Sequence, residues 1–252
     1  MITYEKALRQ ECGYKGAHPY WDWTLDSGPG KDVRQAPIFD PVAGLGGNGQ
    51  TGVPPPPVTP SRPHIEGGTG GGCVTTGPFK NMTLNVGPGP ILDFNPRCLS
   101  RSINPTIANN FLSYENIAPL WKAKSYNEFR ILTEGDLKGA SIGTERVMTF
   151  HGAGHFVTGA ESDDFLSSNA EPVFYLHHTF VDALWSKWQS MDPSGARFWD
   201  ISGPQIPFTE SPEVTLDFPI DLGACGPSIP LRKVMDIRPG NEGGVGCYVY
   251  EW

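Results

Sequence analysis

Residues 171–188 read EPVFYLHHTFVDALWSKW, and this stretch decides the fold. It is predicted to form one helix. Pro172 suits a first helical turn, where a missing N–H costs nothing, and Glu171 sits at the positive end of the helix dipole. At 3.6 residues per turn, Phe174, His178, Val181, Asp182 and Trp185 share one face. His177 lies about 100° round the helix from His178. The adjacent pair therefore cannot both aim at one centre: one serves as a ligand and the other as a wall.

Upstream, His151-Gly152-Ala153-Gly154-His155 places two imidazoles at i and i+4, one face of a helix predicted over Glu145–Phe156. Two side chains so spaced can grip one metal ion. The zinc-protease version carries Glu directly after the first His, and here that position is Gly152, so there is no general base of that kind. A third His on a second helix, with a carboxylate one turn later, strengthens the constellation. Three neutral imidazoles without a thiolate or carboxylate ligand suit copper or zinc. The arrangement predicts two helices side by side with their histidines facing each other, as in a metal-carrying bundle.

At these residues the chain resembles the tyrosinase and catechol oxidase family of type-3 copper proteins (polyphenol oxidases). EPVFYLHHTFVD is similar to the family's second copper-binding signature, usually written with Asp-Pro where this chain has Glu171-Pro172. PYWDW at residues 19–23 and CYVYE at residues 247–251 match landmarks at the two ends of the family's core domain. Order and spacing fit along the chain, which reads as a single copper-binding core domain over residues 1–252. The resemblance implies a mainly α fold, an antiparallel helix bundle with long Gly/Pro-rich loops and a few short strands. It implies His151, His155 and His178 as ligands of the second copper, with His177 as a packing neighbour. Asp182 is expected to accept from an imidazole and fix its tautomer. Phe174 is expected to form a wall of the pocket, and Glu145 is a candidate for orienting water or a phenol proton.

Tyr4, Glu5 and Leu8 resemble the segment that follows the first copper site in the family. The chain is therefore expected to be incomplete at its N-terminus, with the first site's ligands before Met1 and one copper site recognisable of the family's two. Family members use paired copper to oxidise o-diphenols to o-quinones with dioxygen. Many that hydroxylate monophenols carry Asn after the first His of the second site, where it helps hold a water. Gly152 cannot do that, which favours diphenol oxidation, with monophenol (monooxygenase) activity weak or absent. The alternatives are a haemocyanin-like oxygen carrier and an inactive fragment; the length and the Pro/Gly-rich loops fit compact secreted fungal enzymes better.

Composition sets outer bounds. The chain has 252 residues, enough for one sizeable core, with Gly 31 and Pro 25, hence many loops. A net charge of −8 without a Lys/Arg-rich run argues against nucleic acid and anionic membranes as partners, leaving a phenolic small molecule and dioxygen. No apolar stretch is long enough to span a bilayer. Five cysteines without a CxxC pair argue against a thiol zinc site. Together with the glycosylation sequon at Asn81 they favour a secreted, disulfide-bearing glycoprotein, although residues 1–12 are no signal peptide.

The remaining expectations are local. Residues 1–12 form a weakly amphipathic helix, and Asp22 supports the site from the aromatic cluster Tyr20–Trp23. Residues 40–72 are a long Gly/Pro-rich loop in which His64 is solvated, and His18 is structural or exposed. Short strands are predicted within 79–99 and at 214–218 and 231–235, short helices near 106–112 and 125–132, and a polar loop over 161–169.

Overall fold

Helices carry the architecture in the computed structural model, which describes residues 2–54, 56–136, 148–223, 226–238, 244 and 246–252. The α-helices among them are α1 (Ile2–Glu11), α2 (Pro105–Phe111), α3 (Tyr114–Ile117), α4 (Tyr126–Glu134), α5 (Phe150–Thr158), α6 (Val173–Ser190) and α7 (Arg232–Met235). Two small antiparallel ribbons accompany them: β1 (Thr83–Leu84) with β2 (Arg97–Cys98), and β3 (Pro219–Ile220) with β4 (Ile229–Pro230).

α6 is the axis of the core. Val173, His177, Phe180, Leu184 and Trp188 recur at three- and four-residue steps and are buried as one stripe. Trp23, Phe39, Leu120 and Phe129 pack into the same cluster, together with Phe150 and Val157 of α5. Each such large side chain contributes roughly 1.5–3 kcal/mol on burial. The face expected from the sequence (Phe174, His178, Val181, Asp182, Trp185) lies beside this stripe and lines cavities instead.

Local rules explain the helix ends. Asn104 caps α2, its side chain accepting from Ile107 N at 3.1 Å, and Pro105 occupies the first turn. Ser125 caps α4 by accepting from Glu128 N. α6 begins one residue after Pro172, at Val173, whose N–H donates to Glu171 Oε1 at 3.1 Å. Glu171 therefore does more than face a dipole. It is fully buried and forms a two-pronged ion pair with Arg101, whose third nitrogen binds the carbonyls of Leu45, Gly46 and Gly47. This fastens the long Gly-rich loop to the start of the metal-facing helix.

Several expectations need correction. α5 starts at Phe150, where Thr149 is extended as its N-cap; residues 145–147 of the expected helix lie outside the described residues. Residues 161–169 are a loop with short 3-10 turns, in which Glu161 and Asp164 are buried and pair with Arg62 and Arg97 while Phe165 and Leu166 are exposed. The segment expected as a strand at 231–235 holds α7, and the pairing lies at β3 and β4, between the two expected segments. Near the C-terminus, Tyr248 N donates to Ile237 O. Asp22 caps its own turn, accepting from Thr24, and does not reach the histidines. A disulfide joins Cys73 to Cys98, while Cys12 and Cys247 are free and exposed; Cys225 lies outside the described residues.

Candidate metal centre

α5 brings His151 and His155 to the face of α6 that carries His177 and His178. One ligand atom from each of the four lies within 4.8 Å of the others. The rings of His151, His155 and His178 form a nearly equilateral triangle, with centroids 5.1–5.3 Å apart. Distance alone admits His177 to the group; hydrogen bonding does not. Its Nδ1 accepts from the Trp23 indole N–H at 3.2 Å, and its Nε2 lies 3.0 Å from the carbonyl oxygen of His151. An indole only donates and a carbonyl only accepts, so Nε2 carries the proton and neither nitrogen keeps a lone pair for a metal. Gly154 makes the close fit possible, since a Cβ there would collide with the His177 ring.

The pair His155–His178 differs. Their Nε2 atoms face each other at 3.1 Å. Two ligands about 2 Å from one ion and about 100° apart would stand at that separation. Burial holds the imidazoles neutral, with lone pairs available. His155 is lowered to about 3, mainly by desolvation and then by His151, while the Ser162 carbonyl opposes the shift. His178 is lowered to about 2 by desolvation and by its neighbours His151 and His155. His151 is lowered by burial, with Glu134 opposing it. Three neutral, converging imidazoles make a donor set that fits copper.

A cavity of about 320 Å³ opens on this triad, lined by His151, Gly152, His155, Phe174, His178 and Phe208 among others. Phe174 stacks on His178, with centroids 4.1 Å apart and planes 29° apart. Phe208 sits at φ +63°, a left-handed conformation that costs a bulky residue of order 1–3 kcal/mol. A second cavity of about 680 Å³ reaches the other side of His178, past Val181, Asp182 and Trp185.

Asp182 is an acceptor, as expected, but its recorded donors are phenols and not an imidazole. Tyr248 OH donates to its Oδ2 at 2.7 Å, and Tyr250 OH donates to the same oxygen. The C-terminal segment is thereby tied to α6. Glu145 lies outside the described residues. His64 is exposed beside Glu66, and His18 packs edge-on against Tyr4; neither joins the group. Sequence reasoning missed Glu134, at the end of α4, which lines both cavities. It also missed Trp23 as the partner of His177 and Asp163 as part of the cavity wall. Only the aromatic run at residues 20–23 carried a signal.

The family model of the common central domain of tyrosinase matches residues 1–191. The chain is 34% identical to the oxidase hkm6 of Aspergillus hancockii, over 98% of this chain and 88% of that one. It is 32% identical to tyrosinase P of Aspergillus terreus, over 98% and 71% respectively. Among solved structures, a variant of the polyphenol oxidase from Thermothelomyces thermophila superposes with a TM-score of 0.82 at 33% identity, covering 100% of this chain and 70% of that one. With a helical core and a histidine cluster where the sequence signatures fall, the chain belongs to the tyrosinase family.

Proposed function

We propose that the protein is a copper-dependent oxidoreductase of o-diphenols, with His151, His155 and His178 as the ligands of one copper ion. The observation that carries the assignment is the contrast between the paired histidines. Both nitrogens of His177 are engaged by Trp23 and His151, whereas His178 turns its Nε2 to His155 at 3.1 Å. When bound, copper supplies the redox capacity that moves two electrons from the diphenol to dioxygen. The protein's own part is geometric. Phe174 holds the His178 ring by stacking and closes one side of the pocket. Burial keeps the three imidazoles unprotonated. Gly152 offers no side chain of its own at that point of the cavity wall to hold a water for a phenol proton, which favours diphenol oxidation over monophenol hydroxylation.

The other histidines, His18 and His64, lie away from the group, and among the described residues the clustered imidazoles offer ligands for one ion. Turnover at a copper pair needs a second triad of imidazoles, and the remaining histidines, His18, His64 and His177, do not cluster into one. The disulfide supports an oxidising, extracellular setting. No helix among the described residues is long and apolar enough to cross a membrane. The test is quinone formation from catechol beside hydroxylation of tyramine. Residues 1–252 alone should give negligible quinone. A form that supplies a second triad should oxidise catechol much faster than it hydroxylates tyramine, and comparable rates would refute the diphenol reading.

A further inference from the structure

We propose that Asp163 is the polar anchor of the phenol cavity, and that the cavity selects phenols bearing a cationic amine over phenols bearing a carboxylate. The inference rests on the assignment of that cavity to phenols. Asp163 lines it together with the histidine triad, at the end of the turn that follows α5. One carboxylate oxygen, Oδ2, accepts from Ala160 N at 3.0 Å. The other, Oδ1, is buried and has no hydrogen-bond partner. Several buried polar atoms of the protein lack partners, but this one belongs to a carboxylate that lines the cavity of the triad, where a ligand donor can satisfy it.

The neighbouring charges show why it is left over. Arg97 pairs with Glu161, and Arg62 is shared between Glu161 and Asp164. Asp164 is further satisfied by Gly89 N, Leu166 N and Ser167 N. Two arginines are thus paired with two carboxylates, while Asp163 forms no ion pair and feels Arg62 only at longer range. Burial pushes its carboxyl well above the usual range, against the Ala160 N–H and Arg62, so an ammonium brought to Oδ1 would supply the charge that lets the acid ionise. The described charged residues lining the cavity are Glu134 and Asp163, with no lysine or arginine among them. The remaining wall is largely aromatic, from Phe156, Phe165, Phe174 and Phe208. An aryl ring therefore meets apolar surface, and a donor at the far end of a short side chain meets Oδ1. A carboxylate there would face two acids with no lysine or arginine on the cavity wall to offset them.

Calorimetric binding of three matched phenols to the copper-loaded protein at pH 7 tests this: tyramine, 3-(4-hydroxyphenyl)propionic acid and 4-ethylphenol. Tyramine is expected to bind at least about tenfold tighter than the acid, equivalent to about 1.4 kcal/mol. In Asp163→Asn the ratio should fall to within about threefold, with 4-ethylphenol unchanged. A ratio near one in the unsubstituted protein overturns the proposal, and this arm needs no variant to fold. A ratio that persists in Asp163→Asn overturns it equally. Copper content measured on the same samples separates the two readings. Protein that takes up no copper but keeps an Asp163-dependent amine preference retains the anchor and loses the oxidase assignment. Copper uptake without amine preference does the reverse.

Discussion

Replacing Glu171 with Ala should damage the fold more than any surface change, and the structure sets the size. The carboxylate and Arg101 are both fully buried, joined at 2.7 Å and 3.0 Å, and Glu171 also accepts from Val173 N. Removal strands two guanidinium donors in a dry interior. At roughly 1.5–3 kcal/mol per charged hydrogen bond, that is about 3–6 kcal/mol. The three loop carbonyls on Arg101 Nη1 remain and soften the loss. The lower half, about 3–4 kcal/mol, is therefore expected, matching the usual cost of breaking one side of a buried pair. At about 2–4 °C per kcal/mol for a chain of this size, the midpoint should fall by about 6–16 °C. Urea unfolding monitored by tryptophan fluorescence gives the number. The double variant Arg101→Met/Glu171→Leu should lose less than Glu171→Ala, because no charge is left behind. A loss below 1 kcal/mol for Glu171→Ala would refute the view that this pair fastens the Gly-rich loop to α6.

Three further outcomes follow from the site. His177→Ala leaves the Trp23 indole and the His151 carbonyl unpaired and should cost about 3 kcal/mol in thermal or urea unfolding; a neutral result would mean that His177 is not held as described. Gly154→Ala drives a methyl into the His177 ring and should cost about 1–3 kcal/mol, read the same way, whereas unchanged stability would refute the close packing of α5 on α6. The metal-free protein should lose stability on acidification. His155 and His178 titrate near 3 and 2 when folded but near 6.5 when unfolded, so between those values the unfolded chain binds more protons. Their contribution is complete above about pH 6.5 and is lost below it, at up to roughly 1.4 kcal/mol per histidine per pH unit. Urea midpoints should fall from pH 7.5 to 4.5; a flat profile would show that the imidazoles are not buried and neutral.

The helical frame was legible because its signals are local. Pro172 and the histidine spacing mark α5 and α6, and Asn104 and Ser125 mark the starts of α2 and α4. The misreadings came from partners distant in sequence. Residues 161–164 look like a solvated loop until Arg62 and Arg97 are brought to them. Asp182 looks like a histidine's partner until Tyr248 and Tyr250 arrive, 66 and 68 residues later. The split between His177 and His178 was readable from helical geometry. What fixes His177, an indole 154 residues away, was not. Leu231 to Met235 failed for the opposite reason: five residues are too few for periodicity to separate a strand from a helical turn.

Copper stoichiometry across three proteins tests the central claim most directly. Unsubstituted chain, His178→Ala and His177→Ala are loaded with copper, freed of excess, and measured for metal per chain and for the copper(II) spin-resonance signal. One copper per chain is expected in the first. His178→Ala should lose it, because one corner of the triad is gone. His177→Ala should retain it despite reduced stability. Two coppers per chain, or copper lost with His177 and kept without His178, would contradict the account.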